Sequence, residues 1–281
     1  MDNPINRSDY KKSISGSTMD KADTCSIGKT CLIISGGKFA DIPIQKLSAD
    51  YIIACDKGLE YADKYGIKPD VIAGDFDSVP ADLGKDIDKR DALILRYPKE
   101  KDDTDTLIAV KYALGKGYRN ITLVCALGNR TDHLLANLQT AHYAAKEGAI
   151  VRFIDEYEEI IAFSNSEIII KNEITGQDGI TGNNRSIQTI SELSDKNNTW
   201  NAKDSQNKNN MENKENRVFL SVFSLDDRCE GVNITGTKYE IKDAVLTNTF
   251  PVGVSNEFKD KEAAISVRKG SLLVMISVRT S

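Results

Sequence analysis

Short apolar runs punctuate the first half of the chain, and each ends in glycine or polar residues. Cys31-Leu32-Ile33-Ile34 runs into Ser35-Gly36-Gly37, and Tyr51-Ile52-Ile53-Ala54-Cys55 into Asp56-Lys57-Gly58. Val71-Ile72-Ala73 runs into Gly74-Asp75, and Ala92-Leu93-Ile94-Leu95 follows. Ile121 to Cys125 leads towards Gly128, and Val151-Arg152-Phe153-Ile154 closes the series. Between them lie helical spacings: Leu107, Val110 and Leu114, then Leu134, Leu135, Leu138 and Ala141. Buried strands alternating with helices predict a parallel-sheet, three-layer α/β domain. Ligands in such sheets bind beyond the carboxyl ends of the strands.

After about Glu156 the pattern changes. Ile168-Ile169-Ile170, Val218 to Phe223, Lys238 to Ile241, Ala244 to Leu246 and Leu272 to Val278 read as strands, with little helix between them. An all-β sandwich over 157–281 is expected after an α/β domain over 28–156. Residues 1–27 are polar and aperiodic and read as a disordered leader. A second polar stretch, at about 176–216, reads as a disordered insert and contains the only tryptophan, Trp200.

Composition narrows the function. The 281 residues carry a net charge of -5, which argues against a nucleic-acid binder but not against a metal-bound phosphate substrate. The five cysteines form no C-x-x-C pair, so neither a zinc site nor a disulfide framework is expected. With no secretory h-region and no membrane-length apolar run, a reduced, cytoplasmic compartment is expected.

Three polar clusters carry candidate chemistry. In Gly74-Asp75-Phe76-Asp77-Ser78, an extended chain would turn Asp75 and Asp77 to one side. Two carboxylates about 4 Å apart repel by roughly 4 kcal/mol at an effective dielectric near 20, so a cation between them is favoured. Oxygen-only ligands suit magnesium, although a simple turn cap explains the pair as well. Lys99 to Thr106 mixes lysines with Asp102, Asp103 and Asp105 before a helix. It serves as a helix start with Thr104 or Asp105 as cap, and also suits a metal-bound polyphosphate. Gly128-Asn129-Arg130-Thr131-Asp132-His133, with Asn137, again joins a strand to a helix. Arg130 is suited to phosphate. Asp132 could cap the helix or accept a proton from a hydroxyl. His133 and Asn137 should share a face, with His133 read as a packed, hydrogen-bonded histidine. Gly36 and Gly37 could approach a nucleotide or simply make a tight turn. Gly28-Lys29-Thr30 is rejected as a P-loop, because Asp23 stands where the motif needs glycine and no strand precedes it.

In order and spacing, these segments resemble the thiamine diphosphokinase family, bacterial type. The matching pieces are Asp56-Lys57-Gly58, Gly74 to Ser78, Lys101 to Asp105, and Gly128, Arg130, Asp132, His133 and Asn137. Gly236-Thr237-Lys238-Tyr239 and Ser255-Asn256-Glu257 complete the set. Tyr239 stands where eukaryotic-type members have tryptophan, and the polar insert is not part of the family pattern.

The resemblance implies diphosphoryl transfer from ATP to the thiamine hydroxyl, and a homodimer whose active sites draw on both subunits. It implies magnesium on Asp75, Asp77 and Asp105, and phosphate contacts from Lys101 and Arg130. It implies an ATP site formed by Gly36, Gly37, Asp56, Lys57, Gly58, Lys101, Thr104, Gly128, Arg130, His133 and Asn137. Asp132 would orient or deprotonate the hydroxyl, and Tyr239 would stack on thiamine with Ser255 and Asn256 nearby. A core aromatic on a strand explains Tyr239 equally well. The rival functions are a diphosphokinase for another alcohol such as a pterin, a non-catalytic thiamine diphosphate-binding protein, and a nucleotide-binding structural module.

Overall fold

The computed structural model describes residues 28–76, 87–98, 102–128, 130–172, 187–189 and 216–280. The expected leader, Trp200, Asp77 and Lys101 lie outside them, as does most of the expected insert.

Six parallel strands carry the first half: β1 (Thr30–Ile34), β2 (Tyr51–Cys55), β3 (Val71–Gly74), β4 (Leu93–Arg96), β5 (Asn120–Val124) and β6 (Ile150–Ile154). Helices α1 (Gly58–Tyr65), α2 (Asp105–Gly115) and α3 (Thr131–Lys146) connect them. The inner strands bury both faces, while β4 at the sheet edge leaves Leu93 49% exposed. Cys31, Ile33, Ile53 and Leu123 meet Ala109, Ala113, Ala141 and Ala144 of α2 and α3. Leu32, Ile34, Ala54 and Ile72 meet Leu59, Ala62 and Tyr65 of α1 on the other side. The three-layer arrangement is therefore as expected.

Helices α2 and α3 face inward with smaller residues than their leucine spacing suggests. On α3 the buried stripe is Asn137, Thr140, Ala141, Ala144 and Ala145, while Leu135 is 59% exposed. Alanine brings the helix axis close to the sheet, and the leucines lie towards its flanks. Helix α1 escaped the sequence reading because it starts at a glycine inside a polar turn. It ends at Gly66, whose φ of 69° gives a left-handed cap.

The second half adds β7 (Glu158–Ser164), β8 (Glu167–Lys171), β9 (Ile187–Thr189), β10 (Asn216–Ser224), β11 (Cys229–Thr235), β12 (Ile241–Leu246), β13 (Asn256–Glu257), β14 (Glu262–Ser266) and β15 (Ser271–Thr280). Ten strands form one sheet in the order β13-β10-β15-β7-β6-β5-β1-β2-β3-β4, and five form a second, β12-β11-β14-β8-β9. The expected division at 156–157 falls in the β6–β7 hairpin, and the large sheet crosses it. Ile160 and Ala162 of β7 pack in the core that includes α3. Ile161 and Phe163 pack against Ile168, Val232 and Ile265 of the second sheet. One strand thus serves both halves.

Two local expectations are corrected. Lys238, Tyr239 and Glu240 form a bend rather than a strand, and the strand begins at Ile241. Within the expected insert, Ile187–Thr189 pairs antiparallel with β8. Its alternation of β-branched and polar residues suits a strand. Among the described residues no helix is long and apolar enough to cross a membrane.

Candidate active site

The strand order reverses beside β1. From there the chain runs outward through β2, β3 and β4, then returns to place β5 and β6 on the other side. Such a reversal opens a crevice at the carboxyl ends of the strands. Gly36 and Gly37 flank it after β1, and Gly128 and Arg130 after β5. The two loops are stitched together: Ser35 N–H donates to the Val124 carbonyl at 3.0 Å, and Gly37 N–H to that of Cys125 at 2.8 Å. A side chain at Gly37 would put Cβ 2.5 Å from the Cys125 oxygen, so only glycine lets the loops close.

Asp56-Lys57-Gly58 follows β2, Asp75 follows β3, and Thr104 and Asp105 start α2. Thr104 caps that helix by accepting from Leu107 N–H at 3.2 Å. Asp56 stands at φ 45°, and its Oδ1 accepts from Phe76 N–H at 3.3 Å. Gly74 makes room for it, since a Cβ there would lie 1.8 Å from the same oxygen. Burial first, then a hydrogen bond with Asp105 and the charges of Asp105 and Asp75, push the Asp56 carboxyl up to about 7, against the lowering effect of Phe76 N–H. Asp56 therefore belongs with the carboxylates, a grouping missed in the sequence. The available signal was its place at a strand end, matching that of Asp75.

This arrangement fits a divalent cation. Asp56 and Asp105 are hydrogen-bonded carboxyl groups, and a cation between them would balance the charge that burial penalises. Among the described residues no three Asp, Glu, His or Cys close round a metal alone. Magnesium suits such an open set, because it keeps water and substrate oxygens in its shell. The pH consequence has a definite sign. The stabilisation from protonated Asp56 is complete below its ordinary 3.8 and is lost as pH rises through about 7. A divalent cation bound at these carboxylates would have to displace that proton, so magnesium affinity is expected to fall about tenfold per pH unit below about 7. Calorimetric titration at about pH 6 and about pH 8 checks this, and equal affinities would contradict it.

On the other side of the crevice, Arg130 grips Asp132 through two hydrogen bonds, Nε to Oδ1 at 3.2 Å and Nη2 to Oδ2 at 2.6 Å. Arg130's hydrogen bond holds the Asp132 carboxyl below its ordinary range. His133 is exposed, so the packed histidine expected from the sequence is not found. Asn137 is buried, and its amide donates to the Ala126 carbonyl at 2.7 Å. That bond braces the loop leading to Gly128.

Tyr239, Ser255 and Asn256 form a separate group. Asn256 is buried, and its Oδ1 accepts from Tyr239 N–H at 3.0 Å and Glu257 N–H at 2.9 Å. Its Nδ2 donates to the Tyr239 carbonyl at 2.7 Å and to Thr237 Oγ1 at 3.1 Å. The bonds to Tyr239 N–H, the Tyr239 carbonyl and Thr237 fix the bend that carries Tyr239. The ring itself is 63% exposed, which excludes a core aromatic on a strand. Ser255 is exposed, and its N–H donates to Ser221 Oγ at 3.0 Å.

The chain matches two family models. "Thiamin pyrophosphokinase, catalytic domain" matches residues 45–153, a span that includes Asp56, Asp75, Asp105 and Arg130. "Thiamin pyrophosphokinase, vitamin B1 binding domain" matches residues 208–272, which include Tyr239 and Asn256. A thiamine pyrophosphokinase of Bacillus subtilis (strain 168) is 25% identical over 252 residues, covering 89% of this chain and 99% of the relative. The fold resembles the crystal structure of thiamine pyrophosphokinase from Bacillus subtilis, with TM-score 0.67 and 24% identity over 89% of this chain and 99% of that one. It also resembles the structure of thiamin pyrophosphokinase from Geobacillus thermodenitrificans, with TM-score 0.66 and 19% identity over 90% and 99% of the two chains.

Proposed function

The chain belongs to the thiamin pyrophosphokinase family, and on that premise we propose that it transfers the diphosphoryl group of ATP to the hydroxyl of thiamine. The observation that carries this reading is the Asp56–Asp105 carboxyl pair, with the charge of Asp75 on it, at the strand ends of the catalytic-domain match. The match to a vitamin B1 binding domain favours thiamine over a pterin as acceptor.

In this proposal the hydroxyl oxygen bonds to the β-phosphorus, and the bond from that phosphorus to the oxygen bridging the α-phosphorus breaks. AMP leaves, and the hydroxyl proton is lost. Asp56, Asp75 and Asp105, with Asp77, would hold magnesium, which when bound neutralises the diphosphate charge. Lys101 and Arg130 hold phosphate oxygens. Gly36, Gly37, Lys57, Gly58, Thr104, Gly128 and His133 line the ATP site, and Asn137 braces it from below. Arg130 can serve phosphate fully only by loosening its grip on Asp132. Its departure would let that carboxyl rise towards its ordinary range, so the group orients the hydroxyl and takes its proton late. Tyr239 offers an exposed face to a flat cation.

We also assign a homodimer with shared sites. Asn256 on β13 lies seven strands from β2, which ends beside Asp56. At about 4.8 Å per strand, the two are roughly 34 Å apart across the sheet. Reacting atoms must come within about 3–3.5 Å. A second copy, related by a two-fold axis, can bring a Tyr239 to the first copy's carboxylates. Phe250, Val252 and Val254, exposed just before Asn256, give such a contact apolar surface. Cys31, Cys55, Cys125 and Cys229 are buried and outside any disulfide, which suits the reducing cytoplasm.

An acceptor panel tests the reading. The kcat/KM for thiamine should exceed that for thiamine monophosphate and for a hydroxymethyl pterin by at least about 100-fold. Tyr239→Ala should raise the thiamine KM about tenfold and leave the ATP KM nearly unchanged, as loss of a cation–π contact predicts. A preference for the pterin would overturn the acceptor assignment.

A further inference from the structure

We propose that Ser35 and Thr106, neither of which has a ligand role above, are positioning residues that set the spacing between Asp105 and Asp56. The inference rests on the reading of these carboxylates as metal ligands. Ser35 follows β1, and its N–H is fixed on the Val124 carbonyl at 3.0 Å. Its hydroxyl lies 2.9 Å from Thr106 Oγ1. Both residues are buried, at 6% and 7% exposure. Thr106 directly follows Asp105 in the first turn of α2. A weaker tie runs from Cys55 Sγ to the Asp105 carbonyl at 3.8 Å, and Cys55 directly precedes Asp56.

The division of labour in that turn is clear. Thr104 closes the helix on itself by capping Leu107 N–H. Thr106 instead anchors the helix to Ser35, directly after β1. Near the C-terminal end of α2 the Tyr112 hydroxyl lies 3.5 Å from that of Tyr51 on β2, and over the rest of its length the helix rests on the sheet through small apolar residues, Ala109, Val110 and Ala113. Such a contact fixes distance from the sheet but resists sliding along it poorly, because dispersion is non-directional. A hydrogen bond between two buried hydroxyls resists sliding. Asp105 is carried on the same turn, so slippage there would move its carboxyl relative to Asp56 and Asp75. Residues that hold ligands in place in this way commonly control metal affinity.

The test separates positioning from mere packing. Replacing both hydroxyls by apolar groups of similar shape can be nearly neutral for stability. The Ser35→Ala/Thr106→Val double variant should therefore melt close to wild type. Manganese, observed by electron paramagnetic resonance with a non-hydrolysable ATP analogue present, reports the site without turnover. The double variant should bind manganese about tenfold more weakly. Thr106→Ser, which keeps the hydroxyl, should bind like wild type. Wild-type manganese affinity in the double variant, or a Thr106→Ser variant as weak as the double one, would overturn the proposal and leave the proposed function standing. A wild-type protein that binds no manganese would overturn the carboxylate reading itself, and the positioning role with it.

Discussion

Asp105→Asn is expected to lower magnesium-dependent turnover by about 100- to 1,000-fold without unfolding the protein. The asparagine amide can still donate to Asp56 and still sits in the first turn of α2, whose Thr104 cap is unaffected. What disappears is a negative charge where Asp56, Asp75 and Asp105 are crowded together. The same change removes Asp105's hydrogen bond and charge, two of the causes that raise the Asp56 carboxyl. Asp56 should then titrate lower, towards ordinary carboxylate values, by carbon-13 NMR. Melting temperature should stay level or rise, because like-charge repulsion is relieved. Full turnover in this variant would remove Asp105 from the metal set. A collapsed melting temperature would show that the carboxyl pair holds the fold together.

The second large effect concerns two damaged proteins that repair each other. Asp105→Asn lacks the phosphate side of the site, and Tyr239→Ala combined with Asn256→Ala lacks the acceptor side. Each should be nearly inactive alone at low thiamine. In the proposed homodimer, co-expression would make about half of the dimers mixed, each with one site that has both halves intact. About a quarter of wild-type activity should return. The expectation follows from the roughly 34 Å between β13 and β2 in one chain. If each chain used its own Tyr239, no activity would return.

The sequence made the parallel half legible because its strands are buried on both faces. Runs such as Tyr51 to Cys55 and Ile121 to Cys125 are too short for a helix and too apolar for a surface loop. The carboxylates at the strand ends were visible for the same reason, since a polar cluster directly after a buried strand marks the ligand edge. Helix α1 was missed because Gly58 belongs to a turn motif and only Leu59, Ala62 and Tyr65 signal a face. In the second half, Glu158–Ser164, Cys229–Thr235 and Glu262–Ser266 were not read. Glu158–Ser164 and Cys229–Thr235 each pair on one side with a chain neighbour, β6 and β12, but their other partners, β15 and β14, and the β8 partner of Glu262–Ser266 are far away in the chain, and local spacing does not record such pairing. For that reason a sheet shared between the two halves was invisible. Lys238-Tyr239-Glu240 resembled a strand start because nothing local shows that Asn256, seventeen residues beyond Tyr239, ties it into a bend. The partnership of Asp56 with Asp105 is likewise a product of folding, since the two residues come from different strand ends.

The most direct test is AMP release from magnesium-ATP with and without thiamine, with thiamine diphosphate measured in the same samples. The account predicts that AMP appears only when thiamine is present, with one thiamine diphosphate for each AMP. ADP in place of AMP, or AMP formed equally without thiamine, would contradict it.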